Sequence, residues 1–272
     1  MPEEPSPAGA YTHGHHESVL RSHRDLTAAN SAAYLLPLLR RGATLLDVGC
    51  GPGTITADLA RMIRPGRVTA LEPSEQALEF ARAEALRQGQ QNIDFAVGDV
   101  HQPGFGDDSF DIVHAHQVLQ HVPDPVGAIR EMVRVCKPGG VVAARDGDYS
   151  GFTWFPADPA LDSWRELYRR AARANGGEPD AGRMLLAWAH AAGCADVKAS
   201  SSTWCYADPD ARQSWGGMWA DRIVASAVAD QLVATGAVTR AGLAAIAADW
   251  RAWAAHPDGW LSVLHGEILI FA

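Results

Sequence analysis

The sequence predicts an α/β protein with a doubly wound, mostly parallel sheet. Between residues 44 and 146, short apolar runs typical of strands alternate with helical patterns. The first run ends in a glycine-rich turn, and two further strand-like segments flank a long helical stretch near the C-terminus. Alternation of this kind indicates βαβ units, in which a helix connects two parallel strands.

The alternating part of the chain divides into five strands and three helices. We predict strands at residues 44–48, 67–71, 92–97, 110–115 and 139–146, and helices at residues 53–63, 74–88 and 124–136. Ser74 is a favourable N-cap for the second helix, as is Asp124 followed by Pro125 for the third. Since ligands of such sheets bind beyond the carboxyl ends of the strands, we expect the functional site at that edge.

The flanking segments are expected to belong to the same domain. Residues 1–10 are rich in proline and predict disorder, whereas residues 17–39 have helical periodicity. After residue 150 we predict helices at 159–174, 180–192 and 210–256, the last interrupted near Gly236, and strands at 197–206 and 261–271. The predicted parts are an N-terminal segment (1–37), a core (38–150) and a C-terminal part (151–272) with a helical insertion at about 208–258.

Composition excludes several classes of function. The 272 residues, of which 47% are hydrophobic, suffice for one substantial core. A formal net charge of −9 opposes a long contact with nucleic acid. The four cysteines are widely separated and no secretory leader precedes them, which favours reduced thiols and a cytoplasmic location. No apolar run approaches the roughly 18 residues that a bilayer span requires.

The turn after the first strand carries the strongest functional signal. Asp47 is followed by glycines at alternate positions, Gly49, Gly51 and Gly53, and then by a helical pattern. A turn with almost no side chains lets a ligand lie against backbone N–H groups and the positive end of the next helix. The dinucleotide fingerprint G-x-G-x-x-G requires a third glycine where this chain has Thr54. A nucleotide-like cofactor other than a nicotinamide dinucleotide is therefore favoured.

In order and spacing these residues resemble the class I S-adenosylmethionine (SAM) methyltransferases. Residues 95–100, 110–124 and 137–140 extend the resemblance to the third strand, to the fourth strand with its turn, and to the loop into the fifth strand. The fourth-strand segment is similar to the small-molecule branch related to ubiquinone and menaquinone biosynthesis enzymes. The resemblance implies a Rossmann-like seven-stranded sheet, mostly parallel with an antiparallel edge strand, an N-terminal helical lid and a C-terminal helical cap insertion.

The resemblance also implies SAM as the cofactor and S-adenosylhomocysteine as its product. It implies that Asp47 and the glycine backbone take the methionine portion, that Glu72 takes the ribose hydroxyls, and that Asp99 takes the adenine edge. His116 and Gln117 are expected on the other flank. The full set of expected cofactor-binding residues is Asp47, Gly49, Cys50, Gly51, Gly53, Glu72, Pro73, Gln76, Asp99, Val100, His116 and Gln117.

A methyl acceptor that reacts through oxygen or carbon must lose a proton, which calls for a base with a pKa near neutrality. His121 and His116 are the first candidates for this catalytic role. Asp146, Asp148 and Tyr149, which follow the fifth strand, are the next. A hydrogen bond within the turn is the alternative role for His121, and an amine acceptor that is already neutral needs no base.

The nine tryptophans all follow residue 150. Most are expected to pack the cap against the sheet, but their concentration also favours an apolar or aromatic acceptor pocket. We therefore expect a methyltransferase acting on a hydrophobic or aromatic small molecule, quinone-like or a secondary metabolite. The alternatives are a SAM-binding protein without methyl transfer, a nucleic-acid methyltransferase, which the charge disfavours, and a nicotinamide oxidoreductase.

Two further expectations concern metals and partners. The histidines of residues 12–16 have no second ligand group spaced to complete a site, so we predict no metal. The expected partner is the small-molecule acceptor, with no nucleic acid and no membrane span. Exposed apolar surface on the cap leaves a homodimer open.

Overall fold

One mixed sheet organises residues 26–272, the part of the chain that the computed structural model describes. Its strands are β1 (Thr44–Val48), β2 (Arg67–Glu72), β3 (Ile93–Val97), β4 (Phe110–His116), β5 (Cys136–Gly147), β6 (Thr153–Phe155), β7 (Val197–Tyr206) and β8 (Trp260–Phe271). The neighbour order is β3-β2-β1-β4-β5-β8. The pairs from β3 to β5 are parallel, whereas β8 is antiparallel to β5, to β7 on its other side, and to the short β6.

Nine α-helices are present in the described residues. They are α1 (Ala28–Ser31), α2 (Thr54–Ile63), α3 (Glu75–Arg87), α4 (Pro125–Val135), α5 (Pro159–Ala174), α6 (Leu185–Ala191), α7 (Pro209–Ala225), α8 (Ala227–Ala234) and α9 (Arg240–Ala255). Short 3-10 turns lie at Leu36–Leu38, Leu119–His121, Tyr149–Gly151 and Ala181–Met184. The predicted α/β class is confirmed, with eight strands instead of seven because of the three-residue β6.

Three predicted helices differ from the structure. The single helix predicted at 210–256 is three helices, because Ser226 is extended (φ −97°, ψ 168°) between α7 and α8 in addition to the break near Gly236. The helix predicted at 180–192 begins as a 3-10 turn. The N-terminal helix predicted up to Leu39 ends at Ser31, and Pro37 lies in a 3-10 turn instead. Its first part, the proline-rich tail and the histidines of residues 12–16 lie outside the described residues.

The two faces of the sheet bury separate apolar clusters. Leu45, Ile112 and Ala143 pack with α2 and the segment around Leu35 on one face. Leu46, Val113 and Val142 point to the other face, where α4 and α6 cover them. Burial on both faces explains why the parallel strands are continuous apolar runs. The carboxyl edge of β1, β2 and β4 is thereby held in a rigid layer.

The helices between β7 and β8 form an aromatic cap with α5. Trp164 lies at its centre, with its ring centroid 4.5 Å from that of Trp219 and 4.8 Å from that of Trp250, both edge-on. Such edge-to-face pairs add to the burial of large rings. The expected packing role is observed for the four buried tryptophans, Trp164, Trp219, Trp250 and Trp253. No helix among residues 26–272 is long and apolar enough to cross a membrane.

Candidate functional site

The glycine turn lies between β1 and α2, pressed against two neighbouring segments. Gly49 and Gly53 have φ angles of +64° and +80°, in the left-handed region that favours glycine. A Cβ atom at Gly49 would lie 2.5 Å from Val118 Cγ2, and one at Gly53 would lie 2.8 Å from the Cβ of Ala81 on α3. Side chains are therefore excluded at Gly49 and Gly53 by both conformation and space.

The carboxylate of Glu72 joins this turn to the end of β2. The Gly51 N–H donates to Glu72 Oε2 at 3.1 Å, and the Ser74 N–H donates to Oε1 at 3.3 Å. These two contacts orient the carboxylate toward the glycine turn. The structure thus brings together the glycine turn and the acid that the sequence had indicated 19 residues beyond Gly53.

Asp47 lies beneath the turn rather than on its surface. Its carboxylate is buried, with Oδ1 2.7 Å from His114 Nδ1, and Oδ2 accepts a hydrogen bond of 2.5 Å from Thr56 Oγ1. These contacts tie β1 to β4 and to α2. The geometry favours a supporting role for Asp47, and His114, hidden in an apolar run, had no signal in the sequence.

Cys50 is a packing residue of the same turn. Its thiol lies 3.6 Å from the Gly51 carbonyl oxygen. Burial, and then the nearby charges of Asp47 and Glu72, raise the pKa of the Cys50 thiol far above its usual value. The neutral thiol is therefore unsuited to nucleophilic attack.

Beyond β2, the other expected cofactor residues lie along the same edge. Glu72 pairs in register with Val97, the last residue of β3, and Asp99 follows in the next turn. The Asp99 carboxylate is exposed and accepts the His101 N–H at 2.7 Å, while Val100 beside it is buried. The other two expected residues, Pro73 and Gln76, are exposed at the start of α3.

Gln117 and His265 form a fixed pair where β4 ends. Gln117 has a positive φ of 55°, uncommon for a residue with a side chain, and its Nε2 lies 3.1 Å from His265 Nε2. His265 Nδ1 lies 3.0 Å from the Val263 carbonyl oxygen, which can only accept, so Nδ1 carries the hydrogen and Nε2 accepts from Gln117. Burial and the charge of Arg145 hold the pKa of His265 well below its usual value, and the ring is neutral.

The catalytic candidates fall into two groups. His116 ends β4, with its ring centroid 5.8 Å from that of Trp204. His121 lies in the following turn, with its Nε2 3.1 Å from the side-chain Nε2 of Gln120. Tyr149, by contrast, is buried with its ring stacked 4.2 Å from Tyr168, which favours a packing role. The carboxylate of Asp148 is already paired, because Arg183 donates to both of its oxygens at 2.6 Å. This contact also favours a structural role.

Asp146 supports the turn after β4 from below. The carboxyl group is fully buried, and its Oδ1 accepts the Gln120 N–H at 3.0 Å. Burial raises the pKa of Asp146 to about 7, although the Gln120 N–H opposes the shift. The acid is therefore partly protonated at neutral pH and is buried within the protein.

We expect Asp146→Asn to alter the pH dependence of stability. Asp146 in the unfolded chain ionises near pH 4, so between pH 5 and 7 the folded wild type binds the extra proton and its stability falls as the pH rises. An asparagine keeps the acceptor for Gln120 and never ionises. In urea unfolding, the stability of the variant relative to wild type should rise by about 2–3 kcal/mol between pH 5 and pH 8. An unchanged difference between the two proteins would contradict the neutral buried acid.

Comparison with known proteins gives a consistent result. The family model described as "Methyltransferase domain" matches residues 46–144. An uncharacterized methyltransferase, C1B3.06c of Schizosaccharomyces pombe, is 32% identical over 270 residues, which cover 95% of each chain. A demethylmenaquinone methyltransferase of Staphylococcus aureus is 34% identical over 131 residues, 48% of this chain and 50% of the relative. The crystal structure of the [4+2]-cyclase SpnF has the same fold, with a TM-score of 0.51 and 22% identity over 92% of this chain and 80% of the cyclase.

Proposed function

We propose that this chain, which belongs to the class I SAM-dependent methyltransferases, methylates a hydrophobic or aromatic small molecule, quinone-like or a secondary metabolite. The observation that carries the proposal is the glycine turn bonded to the Glu72 carboxylate at the carboxyl edge of the sheet. The tryptophan-rich cap beyond that edge supports an apolar acceptor. The demethylmenaquinone methyltransferase among the relatives, which matches half of its length, supports a quinone-like one.

The residues at this edge fit SAM. The turn carries no side chains at Gly49, Gly51 and Gly53, so a ligand can lie against its backbone N–H groups. The carboxylate of Glu72 is an acceptor suited to the vicinal hydroxyls of a ribose. We assign the methionine portion to the turn and the ribose to Glu72, with the adenine toward Asp99.

SAM supplies an activated methyl group, so the main work of the protein is positioning. The acceptor atom must approach to about 3–3.5 Å from the methyl carbon and in line with the bond that breaks. We assign this task to the ends of β4 and β5 and to the cap, where His116 and Gln117 are held by their neighbours. The aromatic residues of the cap would exclude water from the reacting atoms.

A general base is the second task, and we propose His121 or His116 for it. His116 ends β4 and His121 lies in the turn after it, and both residues are half-buried, whereas Asp146 and Tyr149 are buried. Replacing the true base by glutamine is expected to lower kcat about 100-fold or more. The variants His121→Gln and His116→Gln should be compared across pH 5–9 with an acceptor that is methylated on oxygen or carbon. Wild-type rates in both variants would contradict the assignment.

The proposed function is tested by cofactor binding and turnover together. S-adenosylhomocysteine should raise the melting temperature, with a shift that grows as the logarithm of its concentration above Kd, whereas NAD should not. Methyl transfer from labelled SAM should then be measured against a panel of quinols, phenols and aromatic amines, with sugars as controls. Equal stabilisation by NAD would contradict SAM as the cofactor. Transfer only to sugars would contradict the proposal of an apolar acceptor.

A second candidate function is SAM binding without methyl transfer. The same fold occurs in a [4+2]-cyclase, so the fold alone does not determine the reaction. Stabilisation by S-adenosylhomocysteine with no labelled product across the panel would favour this candidate over the first.

A further inference from the structure

A row of buried polar side chains crosses one face of the sheet near the carboxyl edge. Because side chains alternate along a strand, Arg145 on β5 lies on the same face as Ala143, and His114 on β4 lies on the same face as Ile112. Register places Arg145 beside His116 on one side and Glu267 on the other. The buried members of this polar row are Asp47, His114, Arg145, His265 and Glu267, and the half-buried His116 lies among them.

Arg145 is the charged residue of this row whose hydrogen-bond donors are least satisfied. Its side chain is 1% exposed, and Nε donates to Ser202 Oγ at 3.1 Å and toward Glu267 Oε1 at 3.3 Å. The Trp204 ring lies 4.9 Å from the guanidinium carbon. Neither terminal nitrogen has a hydrogen-bond partner among residues 26–272.

An arrangement of this kind is unfavourable for a purely structural arginine. Buried donors without acceptors cost free energy, and an arginine placed only to neutralise Glu267 would use the two parallel N–H groups of its fork. The two terminal nitrogens of Arg145 make no such contact with Glu267. The Glu267 carboxylate is satisfied in addition by Ser200 Oγ, which donates to Oε2 at 2.7 Å.

The hydroxyl of Tyr34 lies within electrostatic reach of Arg145 and Glu267. It is buried and also has no hydrogen-bond partner within the described part of the chain. The charges of Arg145 and Glu267 both act on the pKa of Tyr34, which burial raises well above its usual value. Two buried donors therefore lack partners here, the guanidinium fork of Arg145 and the neutral hydroxyl of Tyr34, and the Trp204 ring lies against the guanidinium.

We propose that Arg145 binds a carboxylate of the methyl acceptor through its two terminal nitrogens, with the Tyr34 hydroxyl as a further donor. The proposal rests on the proposed function, because it names the substrate class as aromatic or apolar carboxylates. A carboxylate matches the planar fork of a guanidinium with two parallel hydrogen bonds. Trp204 supplies a surface for the apolar body attached to it.

Position in the sheet favours the acceptor over the carboxylate of SAM itself. Strand β4 separates β5 from β1, so Arg145 lies two strand spacings, about 10 Å, from the strand that carries the glycine turn. Beside it lie His116 of β4 on one side and the cap-side strands β8 and β7 on the other. The cofactor residues Glu72 and Asp99 lie toward the opposite edge of the sheet.

The test measures the binding of matched probe pairs to the protein saturated with S-adenosylhomocysteine. The pairs are 2-naphthoate with 2-naphthamide and indole-3-acetate with indole-3-acetamide, titrated by calorimetry. At least one carboxylate should bind about tenfold or more tightly than its amide, since hydrogen bonds to charged groups are the stronger ones. In Arg145→Gln the preference should disappear while the affinity for S-adenosylhomocysteine changes less than threefold.

Two further variants keep the result interpretable. The double variant Arg145→Gln with Glu267→Gln avoids leaving an unpaired buried carboxylate and should show the same loss, with a native circular dichroism spectrum. Arg170→Gln removes an exposed arginine of the cap and should keep the wild-type preference. If no carboxylate outcompetes its amide, or if Arg145→Gln weakens S-adenosylhomocysteine instead, the proposal is overturned. Failure of the wild type to bind S-adenosylhomocysteine would overturn the proposed function.

Discussion

Glu72→Ala is expected to weaken SAM binding about 30-fold or more, as two hydrogen bonds from the ribose to a charged acceptor are lost. The substitution also removes the acceptor for the Gly51 N–H, so the glycine turn loses its tie to β2. Both effects act on the same ligand surface. Isothermal titration of SAM and S-adenosylhomocysteine against folded variant and wild type measures the change.

Glu75→Ala provides the matched control for this prediction. Glu75 lies three residues further along, in the first turn of α3, and its exposed carboxylate pairs with Arg82 at 2.6 Å. Its removal should change SAM affinity less than twofold, since exposed ion pairs contribute little. Wild-type affinity in Glu72→Ala, or an equal loss in both variants, would remove Glu72 from the binding site.

Gly53→Ala is expected to destabilise the protein by about 2–5 kcal/mol and to reduce SAM binding. The backbone at position 53 is left-handed, which is unfavourable for alanine. The new Cβ would also lie 2.8 Å from the Cβ and 2.9 Å from the Cα of Ala81. Because Ala81 belongs to α3, the clash can be relieved only by moving the turn or the helix. Urea unfolding gives the stability, and titration of S-adenosylhomocysteine gives the affinity.

Gly89→Ala separates the conformational effect from the collision. Gly89 also has a positive φ, +66°, but its Cβ would meet nothing within 4 Å. This variant should lose only about 1–2 kcal/mol, the cost of the left-handed conformation alone. Equal losses at the two positions would show that the close approach of the turn to α3 has no energetic consequence.

The strands of the core could be predicted from the sequence because their signals are local. Apolar runs bounded by glycine, proline and N-cap residues delimit β1 and α5 at the bounds observed, Thr44–Val48 and Pro159–Ala174. The break at Ser226 is local as well, but a single serine is compatible with a helix interior. Strand β6 has only three residues and forms because Thr153, Trp154 and Phe155 pair with β8, more than 100 residues away in the chain.

The candidate site also has one part that local sequence signals predict and another part that only the fold brings together. The glycine turn and Glu72 are signalled by spacing along the chain, and the structure brings them into contact. The partners of Arg145 could not be foreseen, since Glu267 is 122 residues away and the two meet only through the antiparallel pairing of β5 with β8. An arginine near the end of an otherwise apolar strand was the signal available for it.

The tryptophans show how far composition alone reaches. Packing was expected for most of them, and the four that are buried pack against one another or against other apolar residues in the cap. Trp204, on the edge strand β7, is instead placed beside Arg145 and His265. Its position depends on the register of β7 with β8, which no local pattern encodes.

The central claim is that SAM lies across the carboxyl edge of the sheet, with its ribose on Glu72 and its methionine portion on the glycine turn. A crystal structure of the complex with S-adenosylhomocysteine tests this most directly. We predict that both ribose hydroxyls lie within 3.2 Å of the Glu72 carboxylate, because such hydrogen bonds are usually about 2.5–3.2 Å long. A nucleoside bound elsewhere, or a Glu72 carboxylate that touches only protein, would contradict the account.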